Sequence, residues 1–236
     1  MREGARDPAI RIAVDGVPFG ALSEAMAPDL ATPMTDGNET HAGPDGIDEI
    51  DRQRAHEYTL LALVLGRAPG REVLDLLAGL QGDASPLGMA HIALAEAAAS
   101  ADPAALQREY FNLFVGVGRG ELLPYGSYYQ AGFLHDRPLA RVRDDLIRLG
   151  IERVERLSEP EDHVAILCET MAGLADGRFG TEPGEDRVFF ERHLKPWAAR
   201  FFADLAVSPS ARFYRPVAEL GALFMEVEAY AFTMDG

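Results

Sequence analysis

From Ile47 onward the apolar residues of this chain recur at three- and four-residue spacing, block after block, and that period leaves helices as the material to build with. Tyr58, Leu61 and Leu65 mark one face. Leu106, Tyr110 and Leu113 mark another behind an Asp102-Pro103 start, and Leu139, Val142, Leu146 and Leu149 mark a third. Val164, Leu167, Cys168, Met171 and Ala175 form a further stripe. Two long ones follow, Phe190, Leu194, Trp197, Phe201, Leu205 and then Phe213, Val217, Leu220, Phe224, Val227, Ala231, with Pro196 expected to kink the first by removing a backbone donor. About eight helices and no convincing sheet predict an all-α fold, a single helical bundle domain over residues 48–236.

Residues 1–47 are of another kind. They are rich in Gly, Pro, Asp and Thr, with eight acids against three bases and no sustained helical period. Ile10 to Val14 reads as a short strand before an Asp15-Gly16 turn, and Thr32 to Gly46 as a tether. The expectation is an irregular N-terminal arm, flexible or loosely docked. A second irregular stretch runs from Gly116 to Arg137, rich in glycine and tyrosine, and long enough to suggest an ordered binding loop.

Charge narrows the partners. Asp and Glu number 38 against 22 Lys and Arg, a formal net of −16. Such a surface repels nucleic acid and anionic lipid and steers cationic peptides inward. The lone Cys168 rules out an intrachain disulfide and a cysteine zinc site, which suits a reducing cytoplasm. Leu60 to Leu65, the longest strongly apolar run, is too short to span a membrane, and Met1-Arg2-Glu3-Gly4 leads into no signal-peptide core. A cytoplasmic protein without stable membrane insertion is expected.

The most chemically loaded stretch is Ser158-Glu159-Pro160-Glu161-Asp162-His163-Val164. Ser158 and Glu161 have capping-box spacing, Pro160 suits a first helical turn, and acids complement the positive end of the helix dipole. The spacing predicts a helix start here, with Asp162 one step round over Ile166 and Glu169. Neighbouring residues on a helix diverge by about 100°, so Asp162 and His163 cannot form a side-by-side relay. The six histidines include no i, i+4 pair, and no His-Glu-x-x-His occurs, so no metal or cofactor is expected. Gly116-Val117-Gly118-Arg119-Gly120 follows a helix and lacks the lysine and hydroxyl residue of a phosphate loop. What remains favours a mixed apolar and acidic lip that carries a histidine.

Glu159-Pro160-Glu161-Asp162-His163, followed by Val164 and Met171, resembles the E-P-x-D-H signature of the TorD/DmsD/NarJ family of redox-enzyme maturation chaperones. Three other blocks agree in order and spacing. They are Glu109-Tyr110-Phe111-Asn112-Leu113-Phe114-Val115-Gly116, the loop of residues 124–129, and Phe190-Glu191-Arg192-His193-Leu194-Lys195-Pro196-Trp197. The resemblance covers most of residues 48–232 and none of the arm. It implies an all-helical cytoplasmic chaperone, not an enzyme, that binds the twin-arginine signal peptide or the apo catalytic subunit of a molybdenum-cofactor oxidoreductase and holds it until its cofactor is in place. By the same resemblance Asp162 and His163, flanked by Glu159, Pro160 and Glu169, sit where peptide contacts are expected. Pro124, Tyr125, Ser127, Tyr128 and Tyr129 lie alongside. The Leu122-Leu123-Pro124-Tyr125-Gly126-Ser127-Tyr128-Tyr129 version of that loop, with Gly132-Phe133-Leu134 after it, looks most like members linked to formate dehydrogenases. A monomer or homodimer is consistent with it.

Two alternatives stand beside this reading. One is a small helical hydrolase, acting on GTP or another substrate, with His163 and nearby carboxylates as acid-base groups. The other is a maturation chaperone for the folded body of a client that is never exported.

Overall fold

A computed structural model of the protein describes residues 10–12, 48–153 and 159–234. Side chains at 10–12 and 153 are outside that description. Ten α-helices occur among the described residues: α1 (Glu49–Gly66), α2 (Arg71–Leu77), α3 (Pro86–Ser100), α4 (Pro103–Tyr110), α5 (Gly126–Ala131), α6 (Arg137–Arg148), α7 (Val164–Ala175), α8 (Glu185–His193), α9 (Ala198–Val207) and α10 (Tyr214–Met234). The all-α expectation holds, and the excess over eight has local causes. Alanine-rich α3 carries few large residues to form a stripe. α5 lies inside what reads as a loop. Pro196 does more than kink its helix, because Leu194 to Trp197 turn between two separate helices and the Lys195 N–H reaches back to the Phe190 carbonyl at 2.9 Å.

The expectation of no sheet is corrected by one short ladder. Strand β1 (Ile10–Ile12) pairs in parallel with β2 (Ile151–Arg153), in the register Ile10 to Ile151 and Ile12 to Arg153. The apolar alternation at 10–14 therefore forms a strand as far as Ile12. The turn expected at Asp15-Gly16, the tether at 32–46 and Ser158 with its capping box lie outside the described residues.

α7 is the centre of the bundle. Every residue from Val164 to Ala175 is buried, so this helix is enclosed on all sides. α1 packs along it, and α9, α10 and α3 close the layer beyond. The two central helices run antiparallel. Arg54 and His56, early in α1, face Asp186 and Asp176, which follow α7, whereas Leu65 and Gly66 at the end of α1 accept from the Tyr110 hydroxyl at 3.3 and 3.0 Å. Gly221 of α10 is needed for close approach: a Cβ there would lie 2.2 Å from the Phe202 ring of α9.

Several signature residues serve this packing. The Glu109 carboxylate, on α4, accepts the N–H groups of Arg212, Phe213 and Tyr214 at 2.8 to 3.3 Å and so caps α10 from across the chain. His193 Nε2 lies 2.7 Å from Asp145 Oδ2 of α6, and the Trp197 indole N–H donates to the His193 carbonyl at 2.6 Å. A π-helical turn over Phe111–Val115 extends α4 into the glycine segment. There Gly116, at φ 63°, folds so tightly that a Cβ would meet the Arg119 carbonyl oxygen at 2.0 Å.

Candidate functional site

The loop at 124–129 and the turn at 159–164 are held face to face. The Val164 N–H donates to the Pro124 carbonyl at 2.9 Å and the Gly126 N–H to the Asp162 carbonyl at 2.9 Å, making an antiparallel bridge between Tyr125 and His163. The juxtaposition expected from sequence is therefore present. Its position relative to the helix differs from the sequence reading. α7 begins at Val164, after Pro160 and Asp162, because the Pro160 carbonyl accepts from His163 N–H in a tight turn and His163 itself is the N-cap.

Burial corrects the picture of an exposed lip. Asp162 is 1% exposed and His163 4%, and Pro124, Ser127 and Glu169 are buried as well. Glu159, Pro160, Tyr125, Tyr128 and Tyr129 are half-buried and form the outer part of the site. The cause is the clasp itself, which folds the polar groups onto backbone donors. Asp162 Oδ2 accepts the Ser127 N–H at 2.7 Å and thereby caps α5, whose own N-cap, Tyr125, has no side-chain cap bond. His163 Nδ1 accepts the Ala165 N–H at 3.1 Å and caps α7.

Those bonds fix the chemistry. Burial pushes the His163 imidazole down to about 4, against a weaker opposing pull from Glu159, so the ring is neutral at pH 7 with its proton on Nε2. Its edge meets the Tyr125 ring, with centroids 5.1 Å apart. The Tyr125 hydroxyl donates to Glu159 Oε2, and burial together with that carboxylate holds its ionisation far above the usual tyrosine range. Glu161 pairs with Arg143 of α6 at 2.9 Å. Two acceptors are left over: Asp162 Oδ1 and the Ser127 hydroxyl oxygen are buried and have no hydrogen-bond partner.

Beyond the clasp the aromatic side chains continue. Tyr129 stacks on Trp197, with centroids 5.4 Å apart, and its hydroxyl donates to Asp204 at 3.1 Å. Arg200 lies over the Tyr129 ring and Arg119 over Tyr128, at 5.7 and 5.5 Å. Together with Glu121 and Leu123 they line a cavity of about 400 Å³. Sequence reasoning missed Trp197, Arg200 and Asp204 as neighbours of this loop. A tryptophan on a core stripe carries no local signal that a tyrosine from 68 residues upstream will stack on it.

Asp162 and His163 turn their acceptors to different backbone donors, although both precede α7 and so lie outside the helical geometry from which their divergence is expected. Among the described residues no group of three His, Cys, Asp or Glu side chains is placed to hold a metal. No helix among the described residues is long and apolar enough to cross a membrane.

The all-α fold has a solved counterpart. A structure from Archaeoglobus fulgidus, described as a redox enzyme maturation protein, superposes with a TM-score of 0.52 at 18% identity, covering 81% of this chain and 99% of that one. A family model for the nitrate reductase delta subunit matches residues 80–203, and the chain belongs to that family. Among curated relatives, the chaperone protein TorD of Vibrio cholerae is 26% identical over 134 residues, spanning 53% of this chain and 61% of its own length. TorD of Shewanella loihica is 25% identical over 194 residues, 78% of this chain and 85% of its own.

Proposed function

We propose that this chain is a maturation chaperone for a redox enzyme and that it holds the client's precursor at the clasp. The client class we favour is a molybdenum-cofactor oxidoreductase with a twin-arginine signal peptide. The observation that carries the reading is the pair of buried acceptors without partners, Asp162 Oδ1 and the Ser127 hydroxyl, beneath a half-buried rim of Glu159, Tyr125, Tyr128 and Tyr129. Family membership and the names of the relatives agree with it.

The physics of such a peptide suits the site. Its cations meet a protein of net charge −16, and Glu159 at the rim sets orientation and arrival rate, since exposed ion pairs contribute only about 0.2 to 1 kcal/mol each. Its apolar stretch supplies the affinity. Burying roughly 400 Å² at about 25 cal/mol per Å² gives about 10 kcal/mol gross, part of which is offset by ordering and lost rigid-body freedom. Micromolar, reversible binding follows, strong enough to hold and weak enough to hand over.

Calorimetry with the signal peptide and the apo form of a redox enzyme encoded beside this gene tests the proposal. Micromolar binding that weakens several-fold in Ser127→Ala, at unchanged melting temperature, is expected. Binding of neither peptide nor apo-enzyme refutes it. Binding of the apo-enzyme alone moves the recognised element to the client's folded body. The hydrolase alternative has little to stand on, because the His163 lone pair is committed to its helix cap and Asp162 faces Ser127.

A further inference from the structure

A cavity of about 620 Å³ outside the clasp opens between the first half of α1, the start of α3 and the second half of α10. It lies at the opposite end of the central helix pair, since α1 meets the clasp side with its last turn. Its floor is acidic. Glu57 Oε1 sits 2.6 Å from His91 Nε2, while Glu57 Oε2 is buried and has no hydrogen-bond partner. Asp83 stands at the mouth, accepting from the N–H and hydroxyl of Ser85. Glu228, 1% exposed, is held by Arg54 at 2.8 Å and by the Tyr58 hydroxyl at 2.9 Å. Arg54 adds little positive field to the cavity, because Asp51 and Asp186 also engage it, each at 2.8 Å.

The walls are apolar and continue onto the surface. Leu87 and Phe224 line the cavity, and Val227 carries the lining outward. Val227, Tyr230 and Met234 fall on one face of α10 by their spacing, and they are 48%, 68% and 69% exposed; Ile50, on the rim from α1, is 64% exposed. A row of large apolar side chains left in water beside a recessed carboxylate is a surface shaped for a partner.

We infer that this groove binds a basic amphipathic helix of another protein, with one lysine or arginine reaching Glu57 Oε2 and the helix's apolar face lying on Leu87, Phe224 and Val227. Charge selects that occupant over the others. Residues 1–47 of this chain carry eight acids against three bases, Arg2, Arg6 and Arg11, so as a segment they are net negative and poorly matched to an acidic groove. A second copy of the chain brings a net charge of −16 to the same carboxylates. Nucleic acid and anionic lipid are repelled for the same reason. The recognition is helix-in-groove, with apolar anchors and one buried cation. It stands on its own residues and does not depend on the reading of the clasp.

The test uses the full chain and two synthetic helical peptides of equal length, one of leucine and lysine and one of leucine and glutamate, followed by fluorescence anisotropy. The lysine peptide is expected to bind at micromolar concentration and the glutamate peptide not to bind. Glu57→Gln, which keeps an acceptor for His91, is expected to weaken the lysine peptide about tenfold, as loss of a desolvated charge partner does. Val227→Ser, at an exposed position that leaves the core intact, is expected to weaken it several-fold, and Glu159→Gln at the clasp to leave it unchanged. Wild-type affinity in both Glu57→Gln and Val227→Ser overturns the proposal, as does equal binding of the two peptides. Loss of binding in Glu159→Gln alone assigns the peptide to the clasp and also overturns it.

Discussion

Acidification from pH 7.5 to 5 is expected to remove about 2 kcal/mol of folding stability through His163 alone. The unfolded imidazole titrates near 6.5 and the folded one, buried under Tyr125, near 4. Between those values the unfolded chain takes up a proton that the folded chain refuses. The contribution is therefore fully present above about 6.5, declines as pH falls, and is gone below about 4. The whole interval corresponds to about 3 kcal/mol, of which about two-thirds is spent by pH 5. Protonation also occupies Nδ1 and removes the acceptor for the Ala165 N–H, so the start of α7 loosens together with the clasp. The comparison that isolates this residue is His163→Asn, since asparagine is a good N-cap and does not titrate. Urea unfolding of both proteins at pH 7.5 and 5 measures it, with the other histidines common to the two. A loss larger by about 2 kcal/mol in the wild type is expected; equal losses would refute a buried, neutral His163.

Three further outcomes follow from the packing. Asp162→Ala is expected to lower stability by about 1 to 3 kcal/mol, visible as a fall in melting temperature, because the Ser127 N–H loses its buried acceptor; an unchanged melting temperature would return Asp162 to the surface. Glu228→Ala strands Tyr58 and part of the Arg54 charge in the core and is expected to cost about 3 kcal/mol or more in chemical denaturation, with Glu228→Gln milder. Glu109→Ala removes the cap of α10, and hydrogen exchange should quicken at Arg212, Phe213 and Tyr214 while the middle of α10 stays protected, with a stability loss of about 1 to 2 kcal/mol.

The helices could be read from the chain because their causes are local. The apolar spacing of Tyr58, Leu61 and Leu65, or of Val217, Leu220 and Phe224, encodes a buried face, and the caps at Asp48, Ser85 and Asp102 bond their own first turns. The acidic balance and the four ordered blocks were equally plain, and with them the family. Tertiary structure decided what the signature residues do. Pro160, Glu161 and Asp162 have every local mark of a first helical turn, yet the helix waits for Val164, because the Val164 N–H and the Asp162 carbonyl are claimed by Pro124 and Gly126 across the clasp. The same pairing carries Asp162 from an expected surface lip into the interior to cap α5, as Glu109 caps α10 about 100 residues away. A hydrogen bond between segments far apart in the chain has no periodicity to announce it. The sequence alone determined which stretches coil and what charge they present, and only the folded chain decided which carboxylates face water and which satisfy a distant backbone.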